Sequence, residues 1–110
     1  MKIDFEFLKK VKIENFKGGD GELFLKKFED ESVKIMQSVL TEGSTIGEHT
    51  HTEDSEIIYV LSGEGVALCD GKKELLSKGV VHYCPKNSTH TIKNACKNDL
   101  VMYAIVIKNL

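Results

Sequence analysis

The 110-residue chain is predicted to be all-β, a barrel or sandwich of short strands. Three observations predict this. Apolar and β-branched residues alternate with polar ones over short runs. Turn signals built on Gly, Asp, Asn and Pro interrupt those runs at close intervals. No stretch sustains the period of an amphipathic helix.

The elements follow in order. Residues 1–10 (MKIDFEFLKK) carry Ile3, Phe5 and Phe7 alternating with polar residues. That fits a strand, and it also fits a helical turn or an arm packed on a partner. Residues 17–21 (KGGDG) form a turn on glycine content. Strands are expected at 22–28 and 33–40, joined by a turn at 29–32. The charge-rich stretch 26–34 reads as a solvated strand pair and turn. A loop at 41–47 leads to a strand carrying His49 and His51. A polar turn at 52–55 precedes a strand at 56–61, and SGEG at 62–65 is a tight turn. Strands at 66–69 and 73–76 flank Asp70-Gly71, a hairpin signal. After a turn at 77–79, the strand 81–84 ends at Pro85, the only proline. Proline removes a ladder donor and pushes the residue before it to extended geometry. A short strand at 89–92, a polar turn region at 93–99 and a last strand at 100–107 complete the chain.

Length and composition narrow the function. The chain is long enough for one domain and one core. A formal charge of −2 provides no basic field for nucleic acid. The longest apolar run, 100–107, is far shorter than the ~18–20 residues of a membrane span. The charge-interleaved N-terminus lacks the apolar block of a signal peptide, so the expected location is cytoplasmic. Three cysteines, Cys69, Cys84 and Cys96, are odd in number and lack C-x-x-C spacing. They suggest neither a disulfide framework nor a zinc finger.

The stretch GSTIGEHTHTEDSEIIYVLSG, residues 43–63, carries the chemistry. Side chains alternate faces along a strand, so His49 and His51 point the same way. Glu56 follows across a polar turn. This is the layout of a metal site on two neighbouring strands. All four histidines fall between His49 and His90.

Two motifs in this chain resemble those of the cupin family. The first, G-x5-H-x-H-x4-E-x6-G, is matched by Gly43, His49, His51, Glu56 and Gly63. The second, G-x5-P-x-G-x2-H-x3-N, is matched by Gly79, Pro85, His90 and Asn94, with Asn87 in place of the glycine. Asparagine is among the few residues that tolerate positive φ, so the turn can survive the exchange. The resemblance implies a double-stranded β-helix, the jelly-roll barrel, with residues 21–110 as its single domain and 1–20 as an N-terminal strand or arm. It also implies a metal held by His49, His51, Glu56 and His90.

Three imidazoles and one carboxylate suit Fe(II), Mn(II), Ni(II), Co(II) or Zn(II) and disfavour Ca(II) and Cu(I). An octahedral ion with these ligands keeps two positions open, whereas a tetrahedral zinc is closed. By strand parity, Ile58 and Val60 share the face of Glu56 and line the interior. His82 and Cys84 share one face of their strand. An inward His82 serves as a proton shuttle or as support to a ligand; the plainer alternative is ordinary barrel packing. Met36, Gln37, Tyr59, Met102 and Tyr103 lie on strands whose facing the sequence leaves open.

Fold does not set function. The leading expectation is a metalloenzyme acting on a small polar molecule, of dioxygenase or isomerase type, with Glu56 or His82 moving a proton. A non-catalytic sugar- or anion-binding module is the alternative, and a structural or storage role is a third. Phe5, Phe7 and Phe16 near the start suggest a homodimer formed through the N-terminal segment.

Overall fold

The computed structural model describes residues 1–108. Two antiparallel sheets face each other around an apolar interior. The strands are β1 (Val11–Glu14), β2 (Glu22–Glu29), β3 (Val33–Leu40), β4 (Thr45–Thr50), β5 (Asp54–Ser62), β6 (Glu64–Cys69), β7 (Lys72–Ser77), β8 (Val81–Cys84), β9 (Thr89–Lys93) and β10 (Leu100–Lys108). One sheet has the order β1-β2-β3-β10-β5-β8 and the other β4-β9-β6-β7. This is the jelly-roll arrangement that the resemblance implies. No helix among the described residues is long and apolar enough to cross a membrane.

Turn chemistry sets the strand ends. Asp70 and Gly71 both adopt positive φ, 50° and 80°, the conformation that a two-residue hairpin turn requires. Asn87 takes φ 73°, so the exchanged motif position does adopt the left-handed conformation. Asn94, buried, donates to the Leu40 and Asn98 carbonyls and accepts from the Cys96 amide. It fastens the loop between β9 and β10 from inside.

The N-terminal segment resolves as a helical turn at Phe5–Phe7, with the first strand later, at Val11–Glu14. Three apolar residues at alternate positions are too few to fix a strand; the Asp4 carboxylate accepts from the Glu6 amide and caps a turn there instead. A second short turn, Phe16–Gly18, docks on β4. A Cβ on Gly47 would collide with the Lys17 carbonyl, and one on Gly19 with the Thr45 carbonyl. These two glycines let backbone meet backbone and seat Phe16 against the core.

The inner face of the larger sheet is layered by its register. Lys34, Val106, Glu56 and Cys84 form one cross-strand row. Met36, Ala104, Ile58 and His82 form the next, and Ser38, Met102 and Val60 the one after. Leu23, Leu40 and Leu100 close the far end, each no more than 2% exposed. Apolar character therefore deepens away from the row that holds Glu56.

Candidate metal centre

His49 on β4 and His90 on β9 are direct cross-strand partners in the smaller sheet. Glu56 enters from β5 of the larger sheet. His51 lies one residue beyond the end of β4, and the turn after Pro85 holds it there. The His51 amide donates to the Ser88 carbonyl at 3.1 Å, and the Asn87 amide donates to the His51 carbonyl at 2.6 Å. The turn of the second motif thus positions a histidine of the first.

The four side chains converge. His90 Nε2 lies 3.0 Å from His51 Nε2 and 3.1 Å from His49 Nε2. Glu56 Oε1 lies 3.2 Å from both His51 Nε2 and His90 Nε2. One donor atom from each of the four residues falls within 4.8 Å of the others.

The other ring nitrogens explain what these atoms want. His51 Nδ1 lies 2.6 Å from Asp54 Oδ1, and His49 Nδ1 lies 2.7 Å from the Gly47 carbonyl. A carboxylate and a carbonyl only accept, so both Nδ1 atoms carry the proton. His82 Nδ1 donates to Glu74 Oε1 at 2.7 Å, which leaves His82 Nε2 as an acceptor for His90 Nδ1 at 3.0 Å. Each of the three imidazoles is thereby held in the tautomer that aims an Nε2 lone pair at one point, beside a carboxylate oxygen. Acceptors crowded in this way need a cation among them. Metal bonds of about 2.1 Å at right angles set donors about 3.0 Å apart, against about 3.4 Å at tetrahedral angles. The observed separations of 3.0–3.2 Å fall between the two values. The residues fit a divalent transition-metal ion.

Electrostatics agree. Burial drives the Glu56 carboxyl upward, but where a proton rather than a metal occupies the cluster, hydrogen bonds from protonated His51 and His90 and their charge outweigh burial and hold it at about 2. The hydrogen bond to Glu56, with help from Asp54 and against burial, raises His51. Burial lowers His49. A positive charge is favoured beside Glu56, whether a proton on His51 or a metal ion.

A cavity of about 260 Å³ opens onto this cluster. Met36, Ile58, Met102 and Val106 are among its apolar lining, with Lys17, Lys34, Glu53 and Asp54 as the charged groups beside the ligands. His82 is fully buried behind His90 and does not line the cavity. Cys84 is also fully buried, and burial pushes its thiol up to about 12. Gln37 and Tyr103 bond to each other beside the N-terminal segment, away from the site, and Tyr59 is exposed on the outer face. Of the residues whose facing the sequence left open, only Met36 and Met102 reach the cavity.

Sequence reasoning missed four contributors. From sequence, Asp54 reads as part of a polar turn and Lys34 as part of a solvated strand pair, and nothing singles out Glu74. Phe16, counted as a dimer contact, lines the cavity. Lys34 corrects the reading of 26–34: it is half-buried and lines the cavity. Strand parity was the available signal, since Lys34 precedes Met36, Ser38 and Leu40 on the same face.

Comparisons with known proteins agree with the geometry. The cupin domain family model matches residues 36–106. An oxalate-binding protein of Thermotoga maritima is 32% identical over 102 residues, covering 87% of this chain and 84% of its own. A Thermotoga maritima crystal structure described as a predicted oxalate decarboxylase superposes with a TM-score of 0.91 at 28% identity, covering 98% of this chain and 99% of the other. KdgF from Halomonas sp. shares the fold, with a TM-score of 0.77 at 18% identity over 97% of this chain and 92% of its own. With its motifs, its barrel and these relatives in agreement, the chain belongs to the cupin family.

Proposed function

We propose that the protein binds a small organic carboxylate at a divalent transition metal held by His49, His51, Glu56 and His90. The observation that carries this reading is the convergence of three Nε2 atoms and one carboxylate oxygen, each imidazole fixed from behind by a hydrogen bond at Nδ1. A divalent Fe, Mn, Ni, Co or Zn ion held by these four residues would supply Lewis acidity to ligand oxygens. The chain's own residues orient the ligand and keep water away. Met36, Ile58, Met102 and Val106 wall the cavity with hydrocarbon. The carboxylate class rests on similarity to an oxalate-binding protein and to a structure described as a predicted oxalate decarboxylase.

Between a binder and an enzyme of dioxygenase or isomerase type, one observation favours the binder. Glu56 is engaged by two histidines and His82 is sealed behind His90, so neither candidate proton carrier faces the cavity as a free group. The free cysteines fit a reducing compartment such as the cytoplasm.

Calorimetry with oxalate on the Co(II)-loaded protein tests this reading. Binding should require metal, vanish in His51→Ala and return the ligand unchanged. Formate, CO2 or oxygen uptake would establish turnover instead. No heat with oxalate, acetate or succinate on a fully loaded site would overturn the reading.

A further inference from the structure

The register of the larger sheet sets a second cation beside the metal point. Lys34 and Glu56 are both paired with Val106, one from each side, so the three stand in a single row across β3, β10 and β5. Adjacent strands lie about 4.8 Å apart, which separates the Lys34 and Glu56 backbones by about 10 Å. All three side chains line the same cavity. Val106, 4% exposed, lies between them as hydrocarbon. Met36 and Ala104 occupy the next row down, beside Lys34 and Val106.

Lys34 has no carboxylate within ion-pair distance among the described residues. Its cross-strand neighbour Glu29 is already held by Lys27 at 3.3 Å and Lys108 at 2.8 Å. Across the cavity, Asp54 is bonded to His51. All 15 basic residues of the chain are lysine, so no guanidinium fork is present to clasp a carboxylate in two places. A ligand anion away from the metal has a lysine as its partner; of the two lysines that line the cavity, Lys17 is exposed and Lys34 is half-buried.

We propose that Lys34 is a specificity-determining residue that selects a dicarboxylate with a hydrocarbon spacer. One carboxylate would meet the metal, the methylenes would lie over Val106, and the far carboxylate would meet the Lys34 ammonium. This rests on the metal-carboxylate reading above and narrows its substrate class to dicarboxylates longer than oxalate.

The test titrates Co(II)-loaded protein with oxalate, malonate, succinate and glutarate, and with butyrate and valerate as chain-matched monocarboxylates. Succinate or glutarate should bind at least about tenfold more tightly than its monocarboxylate. That advantage should disappear in Lys34→Met and persist in Lys34→Arg, with acetate binding equal in all three proteins. Equal affinity for mono- and dicarboxylates in the unsubstituted protein, or an advantage surviving in Lys34→Met, overturns the proposal. So does tightest binding of oxalate with no response to Lys34→Met; that outcome leaves the metal-carboxylate reading standing. If no carboxylate perturbs the Co(II) spectrum, both fall.

Discussion

His82 Nε2 lies 3.0 Å from His90 Nδ1, and the far side of the same ring donates to Glu74 at 2.7 Å. A half-exposed carboxylate on β7 is thus linked, through a fully buried imidazole, to a metal-facing one. The chain has one consistent proton assignment. Glu74 accepts, His82 passes the polarity on, and His90 is left with its lone pair toward the cluster.

Breaking that link should weaken metal binding without touching a ligand. Glu74→Gln can supply its amide NH2 as a donor to His82 Nδ1, and that favours the opposite tautomer. Competition against a chromophoric chelator should show metal affinity falling by about 10- to 100-fold. Unchanged affinity, with the fold intact by circular dichroism, would show that the contact is packing alone.

Metal binding should be opposed by acid. His51 is raised above its ordinary 6.5, first by its hydrogen bond to Glu56. In metal-free protein it holds a proton more readily than an ordinary histidine, and the metal competes with that proton. Apparent affinity should fall as pH drops through the His51 value, with proton release detectable by calorimetry in buffers of different ionisation heat. Affinity that is flat from neutral pH down to pH ~5 would contradict this.

Glu56 predicts a separate acid limb for the metal-free protein. Its folded value of about 2 lies below the ordinary 4.5. The stability it contributes is fully present above 4.5 and is lost as pH falls toward about 2. Glu56→Gln should flatten the pH dependence of Tm across that window. An unchanged slope would show that other carboxylates carry the transition.

The seam between the Phe16–Gly18 turn and β4 should be intolerant of bulk. Gly47→Ala sets a Cβ against the Lys17 carbonyl, and backbone must move to relieve it. We expect a loss of roughly 2 kcal/mol in denaturant unfolding. A neutral effect would mean that the turn is only loosely docked.

We also propose a homodimer, through a different surface from the one the first residues suggested. Phe16 is packed on the core and Phe5 lies 5.3 Å from the Tyr103 ring, leaving only Phe7 of those three strongly exposed, at 86%. The outer face of the larger sheet instead presents Tyr59, Val81, Tyr83, Ile105 and Ile107, all exposed. Tyr59 pairs with Val81, and Ile57 pairs with both Tyr83 and Ile105, so the patch is contiguous. Light scattering at high micromolar concentration should give a dimer mass, and Tyr83→Lys combined with Ile105→Lys a monomer. A monomeric unsubstituted protein would contradict this.

The sequence made the strands and the ligands legible for different reasons. Strands such as Val33–Leu40 and Val81–Cys84 could be read to the residue because alternation and a terminal proline or charged turn bound them. The ligands could be read because two motifs fix their spacing. Asp54, Glu74 and Lys34 are different: Asp54 reaches His51 through the local geometry of the 51–54 turn, which spacing alone does not reveal, and the other two depend on how strands are brought together. Glu74 meets His82 across two sheets, and Lys34 meets the cavity only once β3, β10 and β5 are aligned. The first ten residues were ambiguous because a capped turn and a short strand differ there by a few local hydrogen bonds, from the Glu6, Phe7 and Leu8 amides.

The most direct measurement is metal content and coordination of protein purified without an affinity tag, by elemental analysis and X-ray absorption, beside His90→Ala. We expect one divalent first-row ion per chain in an imidazole-rich oxygen and nitrogen shell, and its loss in the variant. Background metal in the unsubstituted protein, or a full complement retained by His90→Ala, would contradict the assignment of this cluster as a metal centre.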